Sequence, residues 1–438
     1  MTGFTSLADC CAALADRSFD RPPAIVCNAH ITGLGVARAL AEYDVPVIGL
    51  DRSGDGVAPR SSDLVAVGEV TFPLDDADGF RRDVERVAET LDHEPVIFGC
   101  MDEWVHAIAG TEPAGVRRPF ADQEVIDAVL DKESLYALAE DLGVLYPETY
   151  RLSGMDAGGQ NGGGRGAGGQ GGAAAGVDPI PALDPDEAAA ELGFPLVVKP
   201  ARKREFEELL GTNVVEVADR EEYHNLLERA ADAGVRVMAQ EKVPVAVGED
   251  RSVASYVSPD GDRLGVVGNA RVRYPRGYGT SCVVDRVTDP GLETQAYDLL
   301  ETAGYHGISE AEFVYDRDRG GYVLLDVNTR PWKWIGMPVE TGANLPYAAY
   351  ADAVGIEYDP GELREDVRWL YLRDYLAGLA EEDGSVDVLS DAEWEALLTG
   401  VFESRPGLTT GVYRPSDPGP TLQLLETEFS RREYYCSC

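Results

Sequence analysis

Basic residues are scarce in this chain. Of its 438 residues, 38 are Lys or Arg and 78 are Asp or Glu, which gives a formal net charge of -40. Nucleic-acid-binding proteins carry basic patches that neutralise phosphates, so this balance argues against a nucleic-acid partner. An acidic, self-repelling surface keeps a protein soluble, and halophilic proteins use it in this way. We therefore expect a cytoplasm of high salt as the environment.

Lysine is the scarcest base, since only five of the 38 basic residues are lysines. They stand at positions 132, 199, 203, 242 and 333. A lysine ammonium is a compact point charge and is not interchangeable with the planar guanidinium of arginine. In a chain that otherwise uses arginine, each lysine is therefore a candidate for a specific role.

Paired cysteines and long apolar runs are also missing. The cysteines are odd in number and scattered, which argues against a disulfide framework or a paired metal spacing and fits a reduced cytoplasm. No apolar run reaches transmembrane length, and Asp9 and Asp16 interrupt the early apolar residues, so we expect a chain that is neither secreted nor membrane-spanning. The seven cysteines are Cys10, Cys11, Cys27, Cys100, Cys282, Cys436 and Cys438.

The stretch 307–330 predicts a β-hairpin, because two apolar, aromatic-rich runs flank the polar sequence DRDRGG. Strand side chains alternate, so Glu310 and Glu312 share one face of the first strand, and Asp326 and Asn328 share one face of the second. Like charges that meet across a sheet are destabilising unless a cation lies between them. Oxygen ligands of this kind suit Mg²⁺ or Mn²⁺. The alternative is a solvated outer face in an acidic protein.

The N-terminal residues predict an open parallel α/β sheet. A short strand at 24–27, a glycine-containing turn, a helix and a second strand at 45–50 follow one another. Asp51 ends the second strand, where a dinucleotide-binding oxidoreductase carries its ribose-binding acid. That alternative is weak, because Arg38 replaces the third glycine of the fingerprint that begins at Gly33, and structural glycines in a tight turn explain the pattern better.

Acidic residues also follow a further strand at 96–99. Asp102 and Glu103 stand just beyond the carboxyl end of that strand, where open α/β sheets bind ligands. Capping of the next helix is the alternative for them. Helical patterning then continues from about residue 122 to residue 142 and includes Lys132, which is otherwise interpreted as a surface lysine paired with nearby acids.

Two lysine-bearing strand ends follow a glycine-rich tract. Residues 154–177 are of low complexity and predict a disordered insertion. Lys199 closes an apolar strand just before a proline, and a basic cluster at 202–204 follows it, so both suit a polyphosphate. A second strand ends in the segment 241–244, whose backbone groups suit an adenine edge, and Glu249 lies just beyond within reach of a ribose.

The ordered set of Lys132, Lys199, the segment Gln-Glu-Lys-Val at 240–243 and the acidic hairpin resembles the ATP-grasp superfamily. Within that superfamily it is most similar to the D-aspartate-ligase-like and carbamoyl-phosphate-synthase-like carboxylate-amine ligases. The resemblance implies a mixed α/β and α+β fold, in which an N-terminal open parallel α/β (pre-ATP-grasp) domain precedes a two-lobed ATP-grasp fold. The implied domains are 1–125 (pre-ATP-grasp), 126–240 (first lobe, with the insertion 154–177), 241–356 (second lobe, with the metal-binding hairpin) and 357–438 (C-terminal helical segment and tail).

The resemblance also implies ATP and Mg²⁺ (or Mn²⁺) as cofactors and a role for each matching residue. Arg271, Arg273 and the sequence Gly-Tyr-Gly-Thr at 277–280 resemble the segment that faces the acceptor substrate. The matches are Lys132 and Lys199 for the ATP phosphates, Glu241, Lys242 and Val243 for adenine, Glu249 for the ribose, Glu312, Asp326 and Asn328 for the metal, and Arg330 and Arg271 for the catalytic centre.

The expected function is ATP-dependent ligation of a small-molecule carboxylate to an amine through an acyl phosphate, with release of ADP and phosphate. Two positions depart from the family pattern: Asp326 replaces the usual glutamate, and the basic cluster stands where biotin carboxylases have a glycine-rich lid. We therefore expect a ligase and not a biotin carboxylase. A nucleotide-dependent oxidoreductase and a non-catalytic ATP-binding protein are the alternatives, and a homodimer is as open as a monomer.

Overall fold

A computed structural model describes residues 4–153, 180–200, 214–381 and 387–430. The whole glycine-rich insertion at 154–177 and the whole basic cluster at 202–204, each of which carries a prediction above, lie outside these ranges. Within the described residues, none of the helices is both long and apolar enough to cross a membrane.

The chain forms two compact units, and each is built from separate stretches of sequence. The first contains Met1–Asp127, Val247–Glu312 and Val327–Cys438, and the second contains Ala128–Ala246 and Phe313–Asp326. The predicted domain boundaries at residues 125, 240 and 356 stay a prediction, because the two units are defined by contacts within the fold and each combines separate stretches of sequence.

A parallel sheet opens the first unit and confirms the predicted α/β arrangement. Its strand order is β3-β2-β1-β4, and every neighbouring pair is parallel. Every residue of β1 and of β4 is buried, which explains the short, wholly apolar sequences of these two strands. The strands are β1 (Ala24–Cys27), β2 (Val47–Asp51), β3 (Leu64–Glu69) and β4 (Val96–Gly99). The helices between and around them are α1 (Leu7–Ala15), α2 (Ile31–Ala41), α3 (Ala77–Ala88) and α4 (Asp102–Thr111).

A seven-stranded sheet contains the predicted hairpin, whose two strands are neighbours as expected. The strand order is β14-β13-β10-β11-β12-β15-β16. The hairpin runs on into the second unit, which contains its turn. The strands are β10 (Val245–Val257), β11 (Arg263–Tyr274), β12 (Thr280–Val287), β13 (Gly307–Asp316), β14 (Gly321–Asn328), β15 (Arg368–Leu370) and β16 (Leu408–Thr410).

The last two strands of this sheet lie in the C-terminal residues, for which the sequence predicted a helical segment and a tail and no strand. Each has three residues, and β15 pairs in parallel with β16 and antiparallel with β12. Runs this short give little periodicity, so their partners in the sheet decide their conformation. The later helices of the first unit are α9 (Pro290–Thr302), α10 (Gly336–Thr341), α11 (Leu345–Val354), α12 (Leu372–Ala380), α13 (Asp391–Thr399) and α14 (Gly419–Ser430).

The second unit is built around a five-stranded sheet of order β6-β5-β9-β7-β8. The strands are β5 (Thr149–Leu152), β6 (Ala182–Leu183), β7 (Leu196–Pro200), β8 (Val215–Val217) and β9 (Val237–Glu241). The helices are α6 (Lys132–Leu142), α7 (Pro185–Leu192) and α8 (Arg220–Asp232), and α5 (Gln123–Leu130) leads into the unit.

The helical stretch predicted at 122–142 is two helices. The side chain of Asp131 accepts a hydrogen bond from the Ser134 backbone N–H at 3.0 Å, so it caps a new helix that begins at Lys132. This break places Lys132 in the first turn of α6. The short polar side chain of aspartate, which competes for backbone donors, is the physical reason for the interruption.

A buried core in the first unit joins its two sheets. Val26 of β1, Val266 of β11, Tyr350 of α11 and Trp369 of β15 belong to one continuous apolar cluster. Burial of apolar surface is the main favourable term in the free energy of folding. The strand ends that carry the candidate functional residues are therefore fixed to one rigid body within this unit.

Candidate functional site

Two glutamates and an asparagine form an acid cluster in the first unit, at the base of the hairpin. Asn328 of β14 donates through Nδ2 to Glu310 Oε2 at 3.1 Å and to Glu312 Oε1 at 2.8 Å. Glu310 and Asn328 are each 5% exposed. The shared donor confirms that the three side chains lie on one face, as the alternation of the strands predicts.

The acid cluster holds more negative charge than its hydrogen bonds neutralise. Burial, followed by the charge of Glu312, raises the pKa of Glu310 well above the ordinary glutamate value. One amide group serves both carboxylates, so each retains oxygen lone pairs that a cation would satisfy. Glu310 is not among the predicted metal ligands, whereas the structure makes it a buried member of the cluster.

Two arginines stand beside this cluster, and each is held by a second acid. Arg330 donates through Nε to Asp102 Oδ1 at 2.5 Å and through Nη2 to Asp102 Oδ2 at 3.2 Å. Arg273 donates to both oxygens of Asp250, at 2.6 and 2.9 Å, and its Nη2 lies 3.9 Å from Glu312 Oε2. Bidentate pairs of this kind fix the plane of a guanidinium. Asp102 and Asp250 are thus positioning partners of the two arginines.

Arg271, the other predicted catalytic arginine, is more exposed. Its Nε lies 3.6 Å from Asp285 Oδ2, and 45% of its side chain is accessible. Asp285 is held more tightly by Arg368, at 2.5 and 2.9 Å. A loosely paired, half-exposed arginine retains the freedom to meet an anion from solvent, since exposed ion pairs contribute little stability.

The predicted ribose acid also lies in the first unit. Glu249 of β10 forms an ion pair with Arg251 at 2.8 Å, and 42% of the Glu249 side chain is accessible. The same arginine also pairs with Asp289 at 2.5 Å. Glu249 therefore shares its partner with another acid, which leaves its exposed carboxylate suited to accept from a sugar hydroxyl.

In the second unit, Lys132 and Asp326 form a partly buried ion pair. Lys132 Nζ donates to Asp326 Oδ1 and to the Leu325 carbonyl at 3.0 Å. Only 11% of the lysine side chain and 13% of the aspartate side chain are accessible. This geometry rejects the alternative of a solvated surface lysine. It also means that the predicted metal ligand Asp326 is paired with the predicted phosphate ligand Lys132.

Lys199 lies on the face of the second unit's sheet that contacts helix α6. Lys199 lies opposite Met238 in the antiparallel pair of β7 and β9, so their side chains share a face with that of Gln240, two residues further on. Gln240 donates to the hydroxyl of Tyr136 on α6 at 3.2 Å. Lys132 begins α6, and the two predicted phosphate lysines therefore belong to one side of this sheet.

The predicted adenine segment begins where β9 ends. Glu241 accepts from the Glu148 backbone N–H at 2.7 Å and from Arg319 Nη2 at 2.6 Å. Lys242 pairs with Glu216 at 2.5 Å, and the Val243 carbonyl accepts from a backbone N–H two residues further on at 2.9 Å. The side chains of Glu241 and Lys242 are thus used within the unit, which leaves the backbone as the source of any base recognition.

The glycine pattern that suggested an oxidoreductase has a structural explanation. A Cβ at Gly33 would lie 2.1 Å from the Asn28 carbonyl oxygen, so close backbone approach requires glycine there. Arg38, at the third glycine position, is 6% exposed and pairs with Asp417 at 3.0 Å. Asp51 accepts from the Ala29 backbone N–H through one oxygen and from its own following residue through the other, each at 2.7 Å.

Few side chains of the described residues are placed to bind a metal ion. Within residues 4–153, 180–200, 214–381 and 387–430, no group of three or more His, Cys, Asp or Glu side chains is arranged to hold a metal ion. The acid cluster offers two carboxylates and an amide, and the chain's remaining candidate, Asp326, is described with the other unit. Carboxylate oxygens and an amide oxygen are the ligand types that a hard divalent cation prefers, so the residues present fit Mg²⁺.

Comparison with known proteins identifies the fold. No protein-family model and no curated protein matches the chain. Among solved structures, N5-carboxyaminoimidazole ribonucleotide synthetase in complex with ADP has a TM-score of 0.60 at 13% identity and covers 83% of this chain and 85% of its own.

Two further solved structures give similar values. An L-amino acid ligase from Bacillus licheniformis has a TM-score of 0.54 at 12% identity, with 80% of this chain and 79% of its own covered. A biotin carboxylase from Campylobacter jejuni, solved as a β,γ-ATP complex, has a TM-score of 0.56 at 14% identity, with 80% and 74% covered. The chain is therefore confirmed to have the ATP-grasp fold that the sequence resemblance implied.

Proposed function

We propose that this protein, which has the ATP-grasp fold, is an ATP-dependent carboxylate-amine ligase. The observation that carries the proposal is the acid cluster of Glu310, Glu312 and Asn328 beside Arg273 and Arg330. A chain of net charge -40 has no need of buried, crowded carboxylates for solubility. Their burial costs stability, and such arrangements are found mostly at functional sites.

Glu312 and Asn328, together with Asp326, would hold Mg²⁺ or Mn²⁺. The divalent ion supplies neutralisation of the β- and γ-phosphate charge, which lowers the barrier to phosphoryl transfer between two anions. Support comes from the donor chemistry and from the raised pKa of Glu310, since a nearby cation would relieve the repulsion between the two glutamates.

The second unit would supply most of the nucleotide contacts. Lys132 and Lys199, which share one side of its sheet, would bind the ATP phosphates. A bound phosphate would then compete with Asp326 for the ammonium of Lys132, and release Asp326 as a ligand. The remaining contacts would be Glu241, Lys242 and Val243 to adenine and Glu249 to the ribose.

The reaction proceeds in two displacements. A substrate carboxylate oxygen attacks the γ-phosphorus, the bond between the β,γ-bridging oxygen and that phosphorus breaks, and ADP leaves with the electron pair. The amine nitrogen then attacks the acyl carbon, the carbon–oxygen bond to phosphate breaks, and the nitrogen loses a proton to give the amide. Arg330 and Arg271 would stabilise the negative charge that spreads over the transferred group.

Two other functions are less well supported. An oxidoreductase would need Gly33 and Asp51 for a dinucleotide, yet both serve the backbone around them. A non-catalytic ATP-binding protein would hold ATP and its metal with the same residues, so the acid cluster alone does not separate it from the ligase. Turnover is therefore the property to be measured.

The decisive experiment is a screen for ADP release by the purified chain in high salt with MgATP and pools of carboxylates and amines. We expect rapid formation of ADP and phosphate only when a matching carboxylate and a matching amine are both present. Binding of NAD(H), followed by its fluorescence, in preference to MgATP would support the oxidoreductase instead. MgATP binding without turnover across all pools would contradict the ligase and favour the binding protein.

We further propose a cytoplasm of high salt as the setting of this reaction. The formal net charge of -40 supports it, as do the cysteines of the described residues, all five of which are free and buried. Potassium chloride screens the repulsion between surface carboxylates. The unfolding temperature is expected to rise between dilute and molar salt, and a fall over that range would contradict this setting. Sedimentation in the same salt would distinguish a monomer from a homodimer.

A further inference from the structure

Lys333, the one described lysine without a predicted role, is built into the first unit just after the hairpin. Its ammonium donates to Thr280 Oγ1 at 2.9 Å and pairs with Asp374. It also lies 4.4 Å from the centroid of the Tyr371 ring, and only 17% of its side chain is accessible. Such a cation, satisfied on three sides, differs from the mobile surface lysine that an acidic protein would otherwise carry.

The hydrogen bond from Lys333 reaches the turn that resembles the acceptor-facing segment of ATP-grasp enzymes. This turn joins β11 to β12. A Cβ at Gly279 would lie 2.0 Å from the Pro275 carbonyl oxygen, so the turn closes on itself and admits only glycine there. Tyr278, at its tip, is 53% exposed. The turn is thus tight at its base and presents an aromatic ring at its tip.

Two cations hold consecutive residues at the base of this turn. Arg273 Nη1 donates to the Gly279 carbonyl at 3.0 Å, and Lys333 Nζ donates to the side chain of Thr280, the next residue. Arg273 also approaches Glu312 of the acid cluster. Lys333 follows Arg330 by three residues. The turn is therefore tied on both sides to residues that belong to, or directly follow, the proposed centre of phosphoryl transfer.

The choice of lysine at position 333 has a physical reason. Asp374 already receives a hydrogen bond from Arg373 Nη1 at 2.9 Å, so little room for a second planar guanidinium is left beside it. An ammonium directs its three donors to a hydroxyl, a carboxylate and an aromatic face at once. Arginine, which this chain prefers elsewhere, presents its donors in one flat fork that cannot serve these three partners.

We propose that Lys333 is a positioning residue for the carboxylate substrate: it fixes the turn 275–280 through Thr280 and so sets affinity for that substrate without contacting ATP. This inference rests on the proposed ligase function and deepens it. The chemistry is that of a clamp, in which a charged hydrogen bond holds a glycine-containing turn in its binding conformation before the substrate arrives. No covalent step passes through Lys333.

The test compares steady-state constants of the full-length chain in high salt for K333M, T280V, the double variant and K333R. Loss of a hydrogen bond to a charged group is expected to raise KM for the carboxylate about tenfold in K333M and in T280V. KM for ATP is expected to stay within about twofold in each. Because the hydrogen bond between Lys333 and Thr280 is lost in both single variants, the double variant should be no worse than K333M. K333R should not restore the wild-type value.

The matched control is R263M, which removes a cation that also lies over a tyrosine ring, 5.1 Å from the Tyr297 centroid, and pairs with the exposed Glu301. It should leave both KM values unchanged. An unchanged carboxylate KM in K333M and T280V, or an equal rise in the ATP KM, would overturn the inference while the ligase stands. If K333M does not fold, T280V alone decides by the same criterion. Wild-type protein that releases no ADP overturns the ligase proposal, and this inference with it.

Discussion

Two groups of acids in the first unit look alike in sequence and differ in what surrounds them. Asp51 and Asp417 each have both oxygens occupied by donors of the fold. Glu310 and Glu312 share one amide donor and stand close to each other. The first pair is structural, and the second carries negative charge that the described fold neutralises only in part.

The contrast shows how a buried carboxylate is to be interpreted. Burial alone does not distinguish the two groups, because Asp51 and Glu310 are 2% and 5% exposed. The number of donors per oxygen does distinguish them, since a satisfied acid gains nothing from a ligand and a crowded acid does. Substitution of an acid, or of the cation beside it, can show whether that residue belongs to the group to which its hydrogen bonds assign it.

The largest effect is expected at Glu312. Replacement by glutamine keeps the shape and removes the charge that would hold the metal, so turnover should fall about a thousandfold. Measurement of ADP release with thermal unfolding in parallel separates this loss from misfolding. The control is E69Q, at the exposed end of β3, which should behave as wild type. Full activity in E312Q would move Glu312 into the structural group.

Asp417 is expected to give the largest effect on stability. D417N leaves the buried guanidinium of Arg38 without its charge partner, which should cost about 3 kcal/mol of unfolding free energy. Burial acts to raise the pKa of Asp417, but hydrogen bonds from Ser62, Ser61 and Arg38 outweigh it and lower the pKa below the ordinary value. Its contribution is therefore complete above about pH 4 and is lost as pH falls further.

Urea unfolding from pH 7 down to pH 3 measures both effects of D417N. The stability difference between wild type and D417N should narrow in acid, because protonated aspartate and asparagine are then nearly equivalent. A difference that stays constant over this range would show that the charge of Asp417 is not what holds Arg38.

Lys132 should have an intermediate effect. K132M removes the ammonium that would bind ATP phosphates and also leaves Asp326 without it, so ATP affinity should weaken about thirtyfold. Calorimetric titration of MgATP measures this. R220M is the matched control, because Arg220 also begins a helix of the second unit and pairs with an acid, Asp186, at 2.9 Å. Equal ATP affinity in wild type and K132M would make the Lys132 pair purely structural.

Asp51 should show the smallest effect. An asparagine amide can accept through only one atom, so D51N would lose one of the two backbone hydrogen bonds at a cost of about 1 kcal/mol. Turnover and MgATP binding should not change. A loss of nucleotide binding in D51N with little loss of stability would break the comparison, because it would place Asp51 among the site acids and revive the dinucleotide alternative.

Local patterns account for the part of the fold that was predictable from sequence. The hairpin strands alternate strongly around a glycine-terminated turn, and β1 and β4 are short apolar runs between polar residues, so both were predicted correctly. Strands β15 and β16 have three residues each and depend on distant partners, and no local period indicates them.

Several residues of the candidate site could be proposed from the sequence, but neither Glu310 nor the contacts of the site could. Glu312, Asn328 and Arg330 follow from the hairpin and the family resemblance. Asp102 was noted as a strand-end acid, but its pairing with Arg330 joins residues 228 positions apart, which periodicity does not encode. Lys333 was noted only for the rarity of lysine. Its partners come from two other segments of the chain, so a sequence alone indicates the residue and not its role.

The division of the second unit into two stretches of sequence has a consequence during protein synthesis. Lys132 and its partner Asp326 are 194 positions apart. A ribosome adding about 5–20 residues per second needs roughly 10–40 s to pass from one to the other. Through that interval the nascent helix α6 carries its lysine without the carboxylate that later faces it. The second unit is therefore completed late in translation, when the hairpin emerges and supplies its last strand residues.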